Sequence, residues 1–99
     1  MGTFTELNTD TIQQFTLSEL ANIALADWPR KPNFCFAARP YLEALLDVNQ
    51  KSISGSYGYD SVQGIVLYFI TNTSAWKGDV ARLVKGELKR RLRENGYKI

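Results

Sequence analysis

Asp60-Ser61-Val62-Gln63-Gly64-Ile65-Val66-Leu67-Tyr68-Phe69-Ile70 is the stretch on which the fold turns. From Val62 to Ile70 it is apolar on nearly all sides except Gln63 and Gly64, so periodicity alone allows a central helix or a buried strand. The β-branched residues and Gly64 favour the strand. Asp60 followed by Gln63 is a helix-start signature, and the helix-compatible length extends to Thr73. We take the helical reading. It makes the protein mostly α, a compact bundle of about four helices with an extended N-terminal arm. The alternative is α+β, with a short strand near residues 64–70.

Upstream, residues 49–59 hold Gly55 and Gly58 among Ser and Tyr and read as a loop. Before it, Pro40 suits the first turn of a helix, where a missing N–H costs nothing. That helix runs to about Val48, with Tyr41, Leu42, Leu45, Leu46 and Val48 apolar. Arg30-Lys31-Pro32-Asn33 is a basic turn, and Phe34-Cys35-Phe36 is an apolar link in which Cys35 reads as a buried, inert thiol. Earlier still, Thr16 and Glu19 match a capping box opening a helix over Leu17 to Asp27. Leu17, Leu20, Ile23 and Ala24 form its stripe, and Trp28-Pro29 ends it. Residues 1–15 are Thr-rich, with scattered Phe4, Leu7, Ile12 and Phe15 and no clean period. They read as an extended arm or marginal hairpin, ahead of a single helical domain over residues 16–99.

Downstream, Ser74 suits the N-cap of a last helix over residues 75–95, with Gly96 placed to end it. Val80, Leu83, Val84, Leu88 and Leu92 form its inner stripe. Arg82, Lys85, Lys89 and Arg93 fall three or four apart along an outer face, which Arg90 and Arg91 widen.

Composition narrows the chemistry. The chain has 99 residues, 44% of them apolar and 22% charged, close to the average of a globular domain. It contains one cysteine and no histidine, so an internal disulfide and the usual zinc, haem, Cys–His and Ser–His sites cannot be assembled within one chain. No cofactor and no metal are expected. The stretch from Ile65 to Ile70 falls far short of the about 20 residues that span a bilayer, and no secretion signal is visible, so a cytoplasmic protein without membrane contact is expected. The net charge of +2 is unevenly placed. Acids outnumber bases through residue 74, and residues 75–99 are strongly basic.

Three segments carry a family resemblance. They are Ala38-Arg39-Pro40-Tyr41-Leu42-Glu43-Ala44-Leu45, then Tyr57-Gly58-Tyr59-Asp60-Ser61, then Ile65-Val66-Leu67-Tyr68-Phe69 continuing through Ala75-Trp76-Lys77-Gly78-Asp79-Val80-Ala81-Arg82 to Lys85-Gly86-Glu87-Leu88. Together they resemble a group of short proteins encoded by bacteriophages, prophages and plasmids, over residues 16–95. The resemblance carries over no catalytic residue. It implies an accessory protein of a mobile element, of the kind that regulates or inhibits host systems, defence systems among them.

The candidate sites follow from these patterns. Arg82, Lys85, Lys89, Arg90 and Arg93 form a cationic face suited to a host protein's acidic surface, with nucleic-acid phosphates as the alternative. Asn, Gln and Ser are almost absent from that face, which argues against base readout. Trp76 reads first as a staple closing the core and second as an exposed anchor. Tyr57 and Tyr59 sit in a loop that packs on the core or is offered to a protein partner. Glu43 and Asp47 are the one acidic pair on a helical face, which reads as solvated surface. We therefore expect a binding protein and no enzyme.

Overall fold

Ser61 opens the decisive helix. The computed structural model describes residues 8–28, 36–58 and 60–97. Within it Ser61 has extended backbone, and its hydroxyl accepts the N–H of Gly64 at 2.9 Å. The helix α3 then runs Val62–Thr71 and buries Val62, Ile65, Val66 and Phe69. The cap is therefore one residue later than the Asp60–Gln63 signature suggests. Asp60 instead belongs to a minimal antiparallel pair, β1 (Ser56–Tyr57) with β2 (Asp60–Ser61), in which Tyr57 faces Asp60 and Ser56 faces Ser61.

Of the other helices, α1 spans Leu17–Asp27 as expected, closed by the full capping box between Thr16 and Glu19. Helix α2 spans Arg39–Leu46, slightly shorter than the sequence reading, with Pro40 in its first turn. Helix α4 spans Asp79–Glu94. The expected start at Ser74–Ala75 is wrong. Gly78, at φ 114°, occupies the N-cap, and residues 74–78 form a connecting turn. Few residues besides glycine reach that φ readily, and it re-aims the chain into the helix. The C-terminal end is as expected: Gly96, at φ 97°, donates to Arg93 O while Tyr97 N–H reaches Leu92 O. This pair of bonds is a Schellman closure.

The helices form a ring of neighbours, α1 on α2 and α4, and α3 on α2 and α4. The core at its centre is aromatic. The indoles of Trp28 and Trp76 stack at 5.6 Å, 19° from parallel, and Phe69 meets Trp28 edge-on at 6.5 Å. Pairs of this kind contribute about 0.5–1.5 kcal/mol beyond burial. The described part of the expected arm is not open strand. Thr11–Gln14 makes a 3-10 turn whose Ile12 enters the core. Asn8 stabilises that turn by accepting the N–H groups of Asp10 and Thr11. Phe4, Leu7, Pro29, the Arg30–Asn33 turn, Phe34, Cys35 and Tyr59 lie outside the described residues.

Candidate functional site

The basic face of α4 emerges narrower than the sequence suggests, because the interior claims some of its cations. Arg91 is 5% exposed. Its Nε donates to Glu87 Oε2, its Nη1 to Lys51 O at 2.9 Å, and its Nη2 to Phe15 O at 2.8 Å. It therefore fastens α4 to the N-terminal turn and to the segment after α2, and it does not widen the outer face. Arg90 bonds both Glu87 and Glu94. Those carboxylates hold its guanidinium firmly in the charged form. Burial alone would push the Glu87 carboxyl up, but hydrogen bonds from Arg90 and Arg91 and their charges outweigh it and hold the group below its ordinary range.

Lys85 is half-buried and has a structural task. Its Nζ donates to Thr73 O at 2.9 Å and Trp76 O at 2.5 Å, tying the 73–78 turn to α4. Burial and the nearby ammonium groups of Lys89 and Lys77 lower its pKa. The three lysines thus lie within electrostatic reach of one another. With Trp76, Arg82 and Gly86 they line an open cleft of about 420 Å³. Arg82 bridges to Asp79 at 2.6 Å, both side chains well exposed, which leaves the pair weak and exchangeable. Arg93 lies exposed further along α4 and lines a second cleft.

Trp76 takes the core position and not the anchor position. It is fully buried, and its indole N–H donates to Asp27 Oδ2 at 2.8 Å. Tyr57 is exposed, with its hydroxyl donating to Asp47 Oδ2 at 2.7 Å. That bond and the negative charge of Asp47 raise the phenol above its ordinary pKa. Glu43 bonds Arg39 at 3.3 Å, so Glu43 in α2 and Asp47 at its C-cap are each held by a different partner. Among the described residues no three of His, Cys, Asp and Glu gather as a metal site, and no helix is long and apolar enough to cross a membrane.

The surviving site brings together Lys85, Lys89 and Arg82 from α4 and Lys77 from the turn before it. Tyr57 belongs to the hairpin and Arg93 to the neighbouring cleft. Sequence reading did not select Lys77 or Gly86. A lysine placed inside a presumed helix gives no hint that its backbone turns over the next helix. It also passed over a patch on the α2–α3 edge, where Tyr41 and Tyr68 pack at 5.5 Å and Tyr68 and Phe36 are exposed. No family model matches the chain, and neither does any curated protein or solved structure.

Proposed function

We propose that the protein is a non-enzymatic binding protein that docks stoichiometrically on an acidic protein surface in the host cytoplasm, through the cationic side of α4. One observation carries this reading: Lys77, Lys85, Lys89 and Arg82 converge on one open cleft with no acidic residue among its lining. The binding reading over an enzymatic one is supported by the absence of histidine and by the separate engagement of Glu43 and Asp47. A protein partner is favoured over nucleic acid because Arg90 and Arg91 are committed to Glu87. Their loss leaves a short cluster and no long track for phosphates. The resemblance to phage, prophage and plasmid proteins fits a host-directed regulator or inhibitor, with defence systems among the targets.

The test is a pull-down from bacterial lysate with wild-type protein and a Lys77→Glu, Lys89→Glu double variant. A single stoichiometric protein partner, lost in the variant at unchanged melting temperature, is the expected result. Fluorescence anisotropy with labelled DNA and RNA provides the opposing arm. Micromolar binding that collapses between low and moderate salt, and is abolished by Arg82→Glu with Lys89→Glu and Arg93→Glu, would make the protein a nucleic-acid binder instead.

A further inference from the structure

Gly86 sits in the middle of α4, where the fold gives no reason for a glycine. Its backbone is ordinary helix, and a Cβ built there would meet nothing within 4 Å. Alanine at such a position normally stabilises a helix, because glycine forfeits more backbone entropy on folding. The bare backbone is also exposed at a particular place. On one side lies the cleft formed with Trp76, Lys77, Lys85 and Lys89. On the other lies a second cleft of about 350 Å³, lined by Ile12, Leu83, Glu87, Arg90 and Arg93 among others. Both are lined by Arg82 and Gly86, so a ligand filling both would follow a groove across α4 with Gly86 as its saddle.

We propose that this groove receives an acidic peptide segment of the partner protein, laid across α4 with a small or apolar residue over Gly86 and carboxylates to either side. The inference rests on the docking reading above and specifies its contact. Charge selects the acidic segment: Lys77, Lys85 and Lys89 stand at one end and Arg93 at the other, where Arg90 is already neutralised by Glu87 and Glu94. The saddle selects close approach, since a missing side chain lets a foreign backbone come within van der Waals distance of the helix. Half-buried Leu83 beside it supplies the apolar contact.

Stability and binding should respond to Gly86 in opposite directions, which separates a binding role from a structural one. The probe is a randomised short-peptide display library, selected on the full-length protein. Acidic peptides with a small or apolar central residue should be enriched. They should bind Gly86→Ala about tenfold and Gly86→Leu more than tenfold less tightly, a tenfold loss being about 1.4 kcal/mol. Neither variant should melt below wild type, because both residues are better helix formers. Enriched peptides that bind Gly86→Leu as tightly as wild type would overturn the crossing, as would a selection yielding no acidic peptides. Peptides that ignore Gly86 but are lost with Lys77→Glu and Lys89→Glu would overturn the crossing alone and leave docking on α4 standing.

Discussion

Arg91 and Glu87 form an ion pair one helical turn apart on α4, Nε to Oε2 at 2.5 Å, with each residue 5% exposed. A pair this deep has offset its desolvation only because the remaining hydrogen-bonding capacity is used as well. Glu87 also accepts from Arg90, and Arg91 also donates to the carbonyls of Lys51 and Phe15. Removing one member leaves the other charged and buried. Glu87→Gln should therefore cost about 3 kcal/mol at neutral pH, the low end for a broken buried pair, because Arg91 keeps its carbonyl partners. Thermal or urea unfolding monitored by circular dichroism checks this.

The same pair gives a pH signature. Glu87 titrates lower in the folded chain than in the unfolded one, where a glutamate has a pKa of about 4.3. Its contribution is fully present above the unfolded value and is lost as pH falls through the lower, folded value. The stability gap between wild type and Glu87→Gln should therefore be widest from about pH 5 upward and should narrow steadily below about pH 4. A gap independent of pH between 3 and 7 would show that Glu87 acts by shape alone.

Trp76 joins the end of α1 to the turn before α4 through its bond to Asp27 and its stack on Trp28. Trp76→Phe keeps much of the apolar volume but deletes the N–H, and should cost about 1–3 kcal/mol. Trp76→Ala should cost about 3–5 kcal/mol, close to the whole stability of a domain this small. Chemical denaturation gives both values. A Trp76→Ala protein that remains as stable as wild type would return this indole to the surface.

Lys85 combines the roles of strut and candidate contact, and the two can be separated. Lys85→Met removes the bonds to Thr73 O and Trp76 O while keeping the apolar stem. It should lower stability by about 1.5–3 kcal/mol, as expected for lost charge-assisted bonds. Lys89→Met, on the exposed part of the same face, should change stability by less than about 0.5 kcal/mol.

What was legible in the sequence was mainly local chemistry. Thr16 with Glu19, Gly96 after the apolar stripe, and Pro40 in a first turn each act within one helical turn, and each stands where its own residue type places it. What was not legible needed partners far along the chain. Arg91 lies three residues after Leu88 and seven after Val84, on the buried stripe. The sequence reading put it on the outer face instead, because the carbonyls of Phe15 and Lys51 that make its burial tolerable are 76 and 40 residues away. The start of α4 failed for a related reason. Ser74 is an acceptable cap, yet Lys85 and the buried Trp76 hold residues 73–78 as a turn, and tertiary bonds outweigh local preference. The site inherited both errors: Arg90 and Arg91 left the basic face, and Lys77 joined it.

The two helix glycines, Gly64 and Gly86, offer the sharpest contrast for a stability experiment. At Gly86 an added Cβ is unopposed, so Gly86→Ala should raise stability by up to about 1 kcal/mol. At Gly64 the Cβ would lie 2.9 Å from Ser61 Oγ, the same hydroxyl that accepts the Gly64 N–H and caps α3. The hydroxyl must then move, and Gly64→Ala should gain nothing or lose stability despite alanine's better propensity. Ser61→Ala alone should cost about 1 kcal/mol for the lost cap, whereas Asp60→Ala should cost less than about 0.5 kcal/mol. In the Ser61→Ala background the obstruction is gone, so Gly64→Ala should become stabilising there. A double-mutant cycle by urea denaturation reads that reversal directly. Additive effects would mean that the Ser61 hydroxyl does not oppose a Cβ at position 64, and a loss on Asp60→Ala equal to that on Ser61→Ala would move the cap back to the residue the sequence first suggested.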